Sequence, residues 1–151
     1  MIGWKLGSTP VATFEPVGDS IKLVFWEAKL FSNKELRASD GREVPVLTQI
    51  KKYRQILKNI SGVLESYRQV ASNQVALAEM SGGKRKLSKA VFTVNETPSK
   101  LVMSDPADFG LFIYDYDEPQ SEAFRPYLKR LTDYLTESRV KKKGSVRGLQ
   151  I

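Results

Sequence analysis

The feature that most constrains this chain is the run Ile21 to Phe31, because charges seldom sit inside a strand that otherwise reads as buried. With period-two alternation, Leu23, Phe25, Glu27, Lys29 and Phe31 share one face, and Val24, Trp26, Ala28 and Leu30 the other. Both faces are mostly apolar, so the strand reads as central in a sheet. A carboxylate and an ammonium there would each cost several kcal/mol unless paired or bound to a metal. Residues two apart on a strand face are about 6 to 7 Å apart, close enough for Glu27 and Lys29 to serve one site.

The residue inventory narrows the chemistry of such a site. The 151 residues include no Cys and no His, which excludes disulfides, Cys/His zinc sites, thiol nucleophiles and histidine bases. Catalysis is left to carboxylates, lysine, hydroxyls, amides or an oxygen-ligated cation such as Mg²⁺ or Mn²⁺. Hydrophobic content of 41% and charged content of 27% fit a folded globular chain, and a net charge of +7 favours a polyanionic partner. No apolar run reaches the roughly 20 residues of a membrane span, and the N-terminus lacks a signal pattern, so a cytoplasmic protein is expected.

Along the chain, Trp4 to Phe14 and Ile21 to Phe31 flank the turn cluster Pro16 to Ser20 and read as a hairpin. Ser32 to Pro45 is polar, with a turn at Asp40-Gly41. From Val46 the period becomes helical, with Val46, Ile50, Tyr53, Leu57 and Ile60 on one face and Gly62 as the stop. A second helix is expected over Val63 to Met80, followed by the mobile basic loop Ser81 to Lys86. Ala90 to Val94 and Phe109 to Tyr116 read as strands. The last helix is expected over Glu122 to Arg139, with a true start near Arg125 because Pro126 suits a first turn. Trp4, Trp26, Phe109, Phe112 and Tyr114 are expected in the core. The chain therefore reads as one mixed-sheet α/β (α+β) domain over 1–140, with a loose basic tail over 141–151.

The helix after the charged strand opens with Gln49-Ile50-Lys51-Lys52-Tyr53. Gln49 and Tyr53, four apart, project from one side. Lys51, Arg54 and Lys58 fall on the opposite, solvated side, and Lys52 at the boundary is the better candidate for a phosphate contact.

Glu27-Ala28-Lys29 on a hydrophobic strand, followed by Gln49-x-x-x-Tyr53 on the next helix, resembles the PD-(D/E)XK nuclease superfamily, and within it the RecB-like group. The resemblance covers Ile21 to Ile60. It implies a restriction-endonuclease-like mixed central sheet flanked by helices and a DNA endonuclease or exonuclease using Mg²⁺ or Mn²⁺. It also implies that Glu27, with the Ala28 carbonyl, binds the metal, that Lys29 works on the attacking water, and that Gln49 and Tyr53 support the site. Lys52, Lys84, Arg85 and Lys86 are the expected nucleic-acid contacts, DNA is the expected partner, no membrane is involved, and a homo-oligomer is compatible with the sequence.

Two departures keep an alternative open. The family pattern wants an aspartate on the first hairpin strand facing Glu27, yet a turn near Gly18 sets Glu27 opposite Thr9 to Val11, none of them acidic. The family core also carries a helix and a strand before the hairpin, which this chain is expected to lack through truncation. The alternative is thus a catalytically inactive nuclease-fold module that binds DNA or a protein.

Overall fold

The structure is a computed structural model and describes residues 10–39 and 41–144. Trp4, Thr9, Asp40 and the tail from Ser145 onward, all named in the sequence reading, lie outside the described residues. A five-stranded mixed sheet carries helices. Its strands run in the order β1 (Val11–Val17), β2 (Ser20–Leu30), β4 (Asp108–Tyr114), β5 (Val140–Lys142), and β3 (Leu101–Val102) also pairs with β2. The helices are α1 (Pro45–Asn59), α2 (Val63–Met80), α3 (Lys89–Glu96) and α4 (Ser121–Leu135). Among the described residues no helix is long and apolar enough to cross a membrane.

The chain forms two compact units. One takes in Phe25–Tyr53 and the chain from Phe109 onward, and the other takes in Ala12–Val24 and Arg54–Asp108.

In the first unit, the C-terminal half of β2 lies beside β4. Phe25 stacks on Phe109 at 5.3 Å, Phe31 meets Tyr116 edge-on at 4.9 Å, and the Phe31 N–H donates to the Tyr114 carbonyl. Partners that advance together along both segments make the pair parallel. β5 extends the sheet in parallel on β4, with Leu111 level with Val140 and Ile113 with Lys142. Gly110 lies under the Trp26 indole so closely that a Cβ there would run into the ring. α4 contributes Phe124, Leu131 and Leu135 to the core, and Phe124 packs edge-on against Phe31 at 5.0 Å.

In the second unit, β1 and the start of β2 join through a two-residue turn. Gly18 takes the first turn position at φ +56°, where a side chain would be strained, and so short a connection makes the strands antiparallel. β3 pairs in parallel with β2, Ile21 level with Leu101. α2 packs against α3 through Ala71, Val75 and Ala78 on one side and Ala90 and Val94 on the other. Tyr67 on α2 meets Phe14 edge-on at 6.5 Å.

Several expectations are corrected. Ala90 to Val94 is helical: a five-residue apolar run fits either state, and Ala90 and Val94 are both buried because four residues is one helical turn. The last helix begins at Ser121 and ends at Leu135, with Pro126 inside it. Its buried stripe outweighs the single hydrogen bond that Pro126 cannot donate. Thr136 at φ +75° then breaks the helix. Part of the expected loose tail is β5: buried Val140 anchors it, while Lys141 and Lys142 are exposed. Asp115 at φ +55° ends β4 before Tyr116. Ile60 lies outside α1 and is exposed. β2 is apolar and buried on both faces only as far as Trp26. From Ala28 the second face opens, and Leu30 is 57% exposed.

Candidate functional site

Glu27 and Lys29 lie on the covered face of β2, 0% and 6% exposed, and Lys29 Nζ is 2.9 Å from Glu27 Oε1. The expected pair therefore forms, and it forms inside the first unit. A second carboxylate joins it: Glu35 also makes an ion pair with Lys29. This residue was not among the sequence candidates, because nothing local connects it with β2.

Glu35 is delivered by a 3-10 turn over Lys34–Leu36. The Asn33 side chain caps the turn by accepting from the Glu35 N–H at 2.8 Å, the local signal that could have marked this position. Leu36 is fully buried and pins the turn. Arg37 fastens its far end, donating to the Phe31 carbonyl at 2.5 Å and to the Asn33 carbonyl at 3.3 Å. Its guanidinium lies over the rings of Phe31 and Phe124 at 4.8 and 5.1 Å.

Burial pushes the Lys29 ammonium toward losing its proton, but hydrogen bonds with Glu35 and Glu27, and the charges of both, outweigh it and raise the pKa above 10.5. Lys29 is therefore a fixed cation at neutral pH. It can donate hydrogen bonds and orient a water, but it is not itself a proton acceptor there.

The helical half of the pattern also assembles. Gln49 Nε2 donates to Tyr53 Oη at 3.1 Å, and the Tyr53 ring stacks on Phe109 at 6.0 Å with planes 3° apart. Phe109 stacks in turn on Phe25, two residues before Glu27 on the same face of β2. A chain of rings thus ties the Gln49–Tyr53 pair to the charged strand.

The two halves meet at a cleft of about 390 Å³ lined by Glu35, Glu43, Thr48, Gln49 and Lys52, with Pro45 at its edge. Glu35, the partner of Lys29, and Gln49, the partner of Tyr53, both line it. Lys52, the expected phosphate contact, lines this cleft. Glu43 was also missed by sequence reasoning. Its carboxylate accepts from Thr48 Oγ1 at 2.8 Å and pairs with Lys51, whose ammonium lies 5.2 Å from the Tyr134 ring.

Other residues of the sequence reading belong to the second unit. Lys84, Arg85 and Lys86 are exposed residues of the second unit. Arg54, expected on the solvated side of α1, is half-buried and donates from Nε to the Ala107 carbonyl at 3.0 Å.

The acidic partner expected on the first hairpin strand is not found among the described residues. Counting back from the turn sets Val11 level with Trp26 and Pro10 level with Glu27. The acid of β1, Glu15, instead accepts from Thr13 Oγ1 at 3.3 Å within the second unit. Among the described residues no three acidic side chains gather in one place. Carboxylate oxygens are the donor type a hard cation takes. Mg²⁺ commonly takes one or two carboxylates and keeps several waters, and here Glu27 and Glu35 are two carboxylates that both contact the Lys29 ammonium.

No protein-family model, curated protein or solved structure matches the chain.

Proposed function

We propose that this chain is a nuclease-fold domain of the PD-(D/E)XK type, close to the RecB-like group, that hydrolyses DNA phosphodiester bonds from within the cytoplasm. The observation that carries the reading is the buried Glu27–Lys29 ion pair, joined by Glu35, which lines a cleft with Gln49 and Lys52. A surface ion pair would say little, but a buried one is retained against a desolvation cost of several kcal/mol. Glu35, the exposed carboxylate on the same ammonium, lines a polar cleft, which is where a charge-handling site would meet its ligand.

Glu27, with the Ala28 carbonyl, would hold Mg²⁺ or Mn²⁺, which supplies charge stabilisation at a phosphate and an acidified water when bound. The chain's own residues do the rest. Lys29, kept cationic by Glu27 and Glu35, orients the water and balances negative charge on the phosphate. Gln49 and Tyr53 fix the cleft wall through their mutual hydrogen bond and the stack on Phe109. Lys52, exposed on the cleft rim, attracts the nucleic-acid backbone.

The test is cleavage of plasmid and linear DNA with Mg²⁺ or Mn²⁺ by the wild-type chain and by Lys29→Ala. Cleavage that disappears in the variant supports the assignment. Cleavage that survives it removes Lys29 from the chemistry and sinks the reading.

A second reading is favoured by one specific observation: Pro10, not an acid, is level with Glu27. On this reading the fold binds DNA or a protein partner without hydrolysing a bond, since the loss of a metal ligand weakens both affinity and rate. It predicts salt-dependent DNA binding with no divalent-dependent cleavage.

A further inference from the structure

The cleft beside the Glu27–Lys29 pair continues. A second cleft, of about 330 Å³, lies on the other side of Glu43 and is lined by Gly41, Arg42, Val44, Leu47 and Arg130. Glu43 lines both spaces, so the two clefts of the first unit adjoin at its side chain as a groove in two parts.

The charges along this groove are arranged unequally. Glu43, the acid between the two stretches, is engaged by Lys51 and by the Thr48 hydroxyl. Arg42, Lys52 and Arg130 are all exposed, and among the described residues none of the three is in an ion pair. Lys129, the residue before Arg130, behaves otherwise: its ammonium pairs with Asp133 at 2.7 Å. Arg130 instead turns from α4 toward the segment before α1, where Nη1 donates to the Arg42 carbonyl at 3.4 Å. Two guanidinium groups thus border one recess. Lys52 lines the other cleft, with Glu35 and Gln49.

We propose that this groove is the track for the sugar-phosphate backbone of a single nucleic-acid strand, with Arg42 and Arg130 holding phosphates on the side away from the Glu27–Lys29 pair and Lys52 holding one beside it. The proposal rests on the nucleic-acid reading above and extends it to residues that sequence reasoning did not single out. Guanidinium groups suit this role because their planar fork matches two phosphate oxygens at once.

The test is fluorescence anisotropy of labelled single-stranded DNA and RNA oligonucleotides titrated with the full chain. EDTA is present so that no strand is cut, and salt runs from about 50 to 200 mM. Arg42→Ala and Arg130→Ala are each expected to weaken binding about threefold and to lower the salt slope by about one. Lys129→Ala, which removes a charge that Asp133 already neutralises, is expected to bind as wild type. If an alanine variant unfolds by circular dichroism, Arg42→Gln or Arg130→Gln repeats the measurement with most of the side-chain volume kept.

Binding that is unchanged in the arginine variants, or weakened equally by Lys129→Ala, overturns the track while leaving the nuclease reading standing. A wild-type chain that binds neither strand overturns both. Weakened binding by the arginine variants, combined with wild-type chain that never cuts DNA, supports the track and removes only the hydrolytic reading. A preference for the RNA arm supports the track and reassigns its occupant.

Discussion

Lys29 Nζ lies 2.9 Å from Glu27 Oε1, two residues away on the same covered face of β2, and Glu35 closes on the same ammonium from a capped 3-10 turn. One cation thus serves two carboxylates of different standing. Glu27 is fully buried and depends on its partner, whereas the Glu35 side chain is 41% exposed and has water available.

Removing the ammonium alone should therefore be costly. Lys29→Met leaves Glu27 charged in a dry environment, and a loss of about 3 to 5 kcal/mol is expected in urea unfolding at neutral pH. The double variant Glu27→Leu/Lys29→Met should recover most of that loss, because two apolar side chains of similar size need no solvation. A double variant as unstable as the single one would show that Lys29 acts on stability through something other than Glu27.

The turn that presents Glu35 depends on the fit of Arg37. Its guanidinium lies over the Phe31 and Phe124 rings while donating to two carbonyls, a combination that an ammonium cannot reproduce. Arg37→Lys is expected to lower stability by about 1 to 2 kcal/mol. Thermal melts at neutral pH measure this, and an unchanged midpoint would show that charge alone suffices.

The close approach of Gly110 and Trp26 gives a steric prediction. Gly110→Ala places a methyl group into the indole, so the ring or the neighbouring strand must move. A loss of about 1 to 3 kcal/mol is expected, together with a shift in tryptophan fluorescence. Wild-type stability with an unchanged spectrum would mean that β2 and β4 are not packed this closely at Trp26.

The Glu43 contacts carry a pH dependence whose sign follows from their cause. Hydrogen bonds from Lys51 and Thr48 hold the Glu43 carboxyl below its ordinary 4.5, so its contribution to stability is present above that value and is lost as pH falls through the lowered one. Glu43→Gln should therefore melt slightly below wild type at neutral pH, and the difference should close in acid. High salt should shrink the neutral-pH difference as well, because the pair is exposed. A difference that persists in acid would place the effect in packing.

What the sequence by itself determined is local. The alternation in Ile21 to Phe31 placed Glu27 and Lys29 on one face, and the four-residue spacing placed Gln49 beside Tyr53. The apolar stripe marked α2 over Val63 to Met80, whereas Gly62, read as the stop of the helix before it, lies three residues past the end of α1. Each of these depends only on the fixed geometry of a strand or a helix. What only the tertiary structure decided are matters of long-range packing. Ala90 to Val94 is a helix because its buried pair faces α2, and Val140 makes a strand because β4 offers an edge. Glu35 reaches Lys29 because Leu36 and Arg37 anchor its turn, and Arg130 meets Arg42 from 88 residues away. Sequence spacing carries no information about such meetings, because the covering of apolar surface brings these residues together, and that depends on the whole chain at once. The pair that first set β2 apart was legible in eleven residues, and the groove that gives it a proposed use was not.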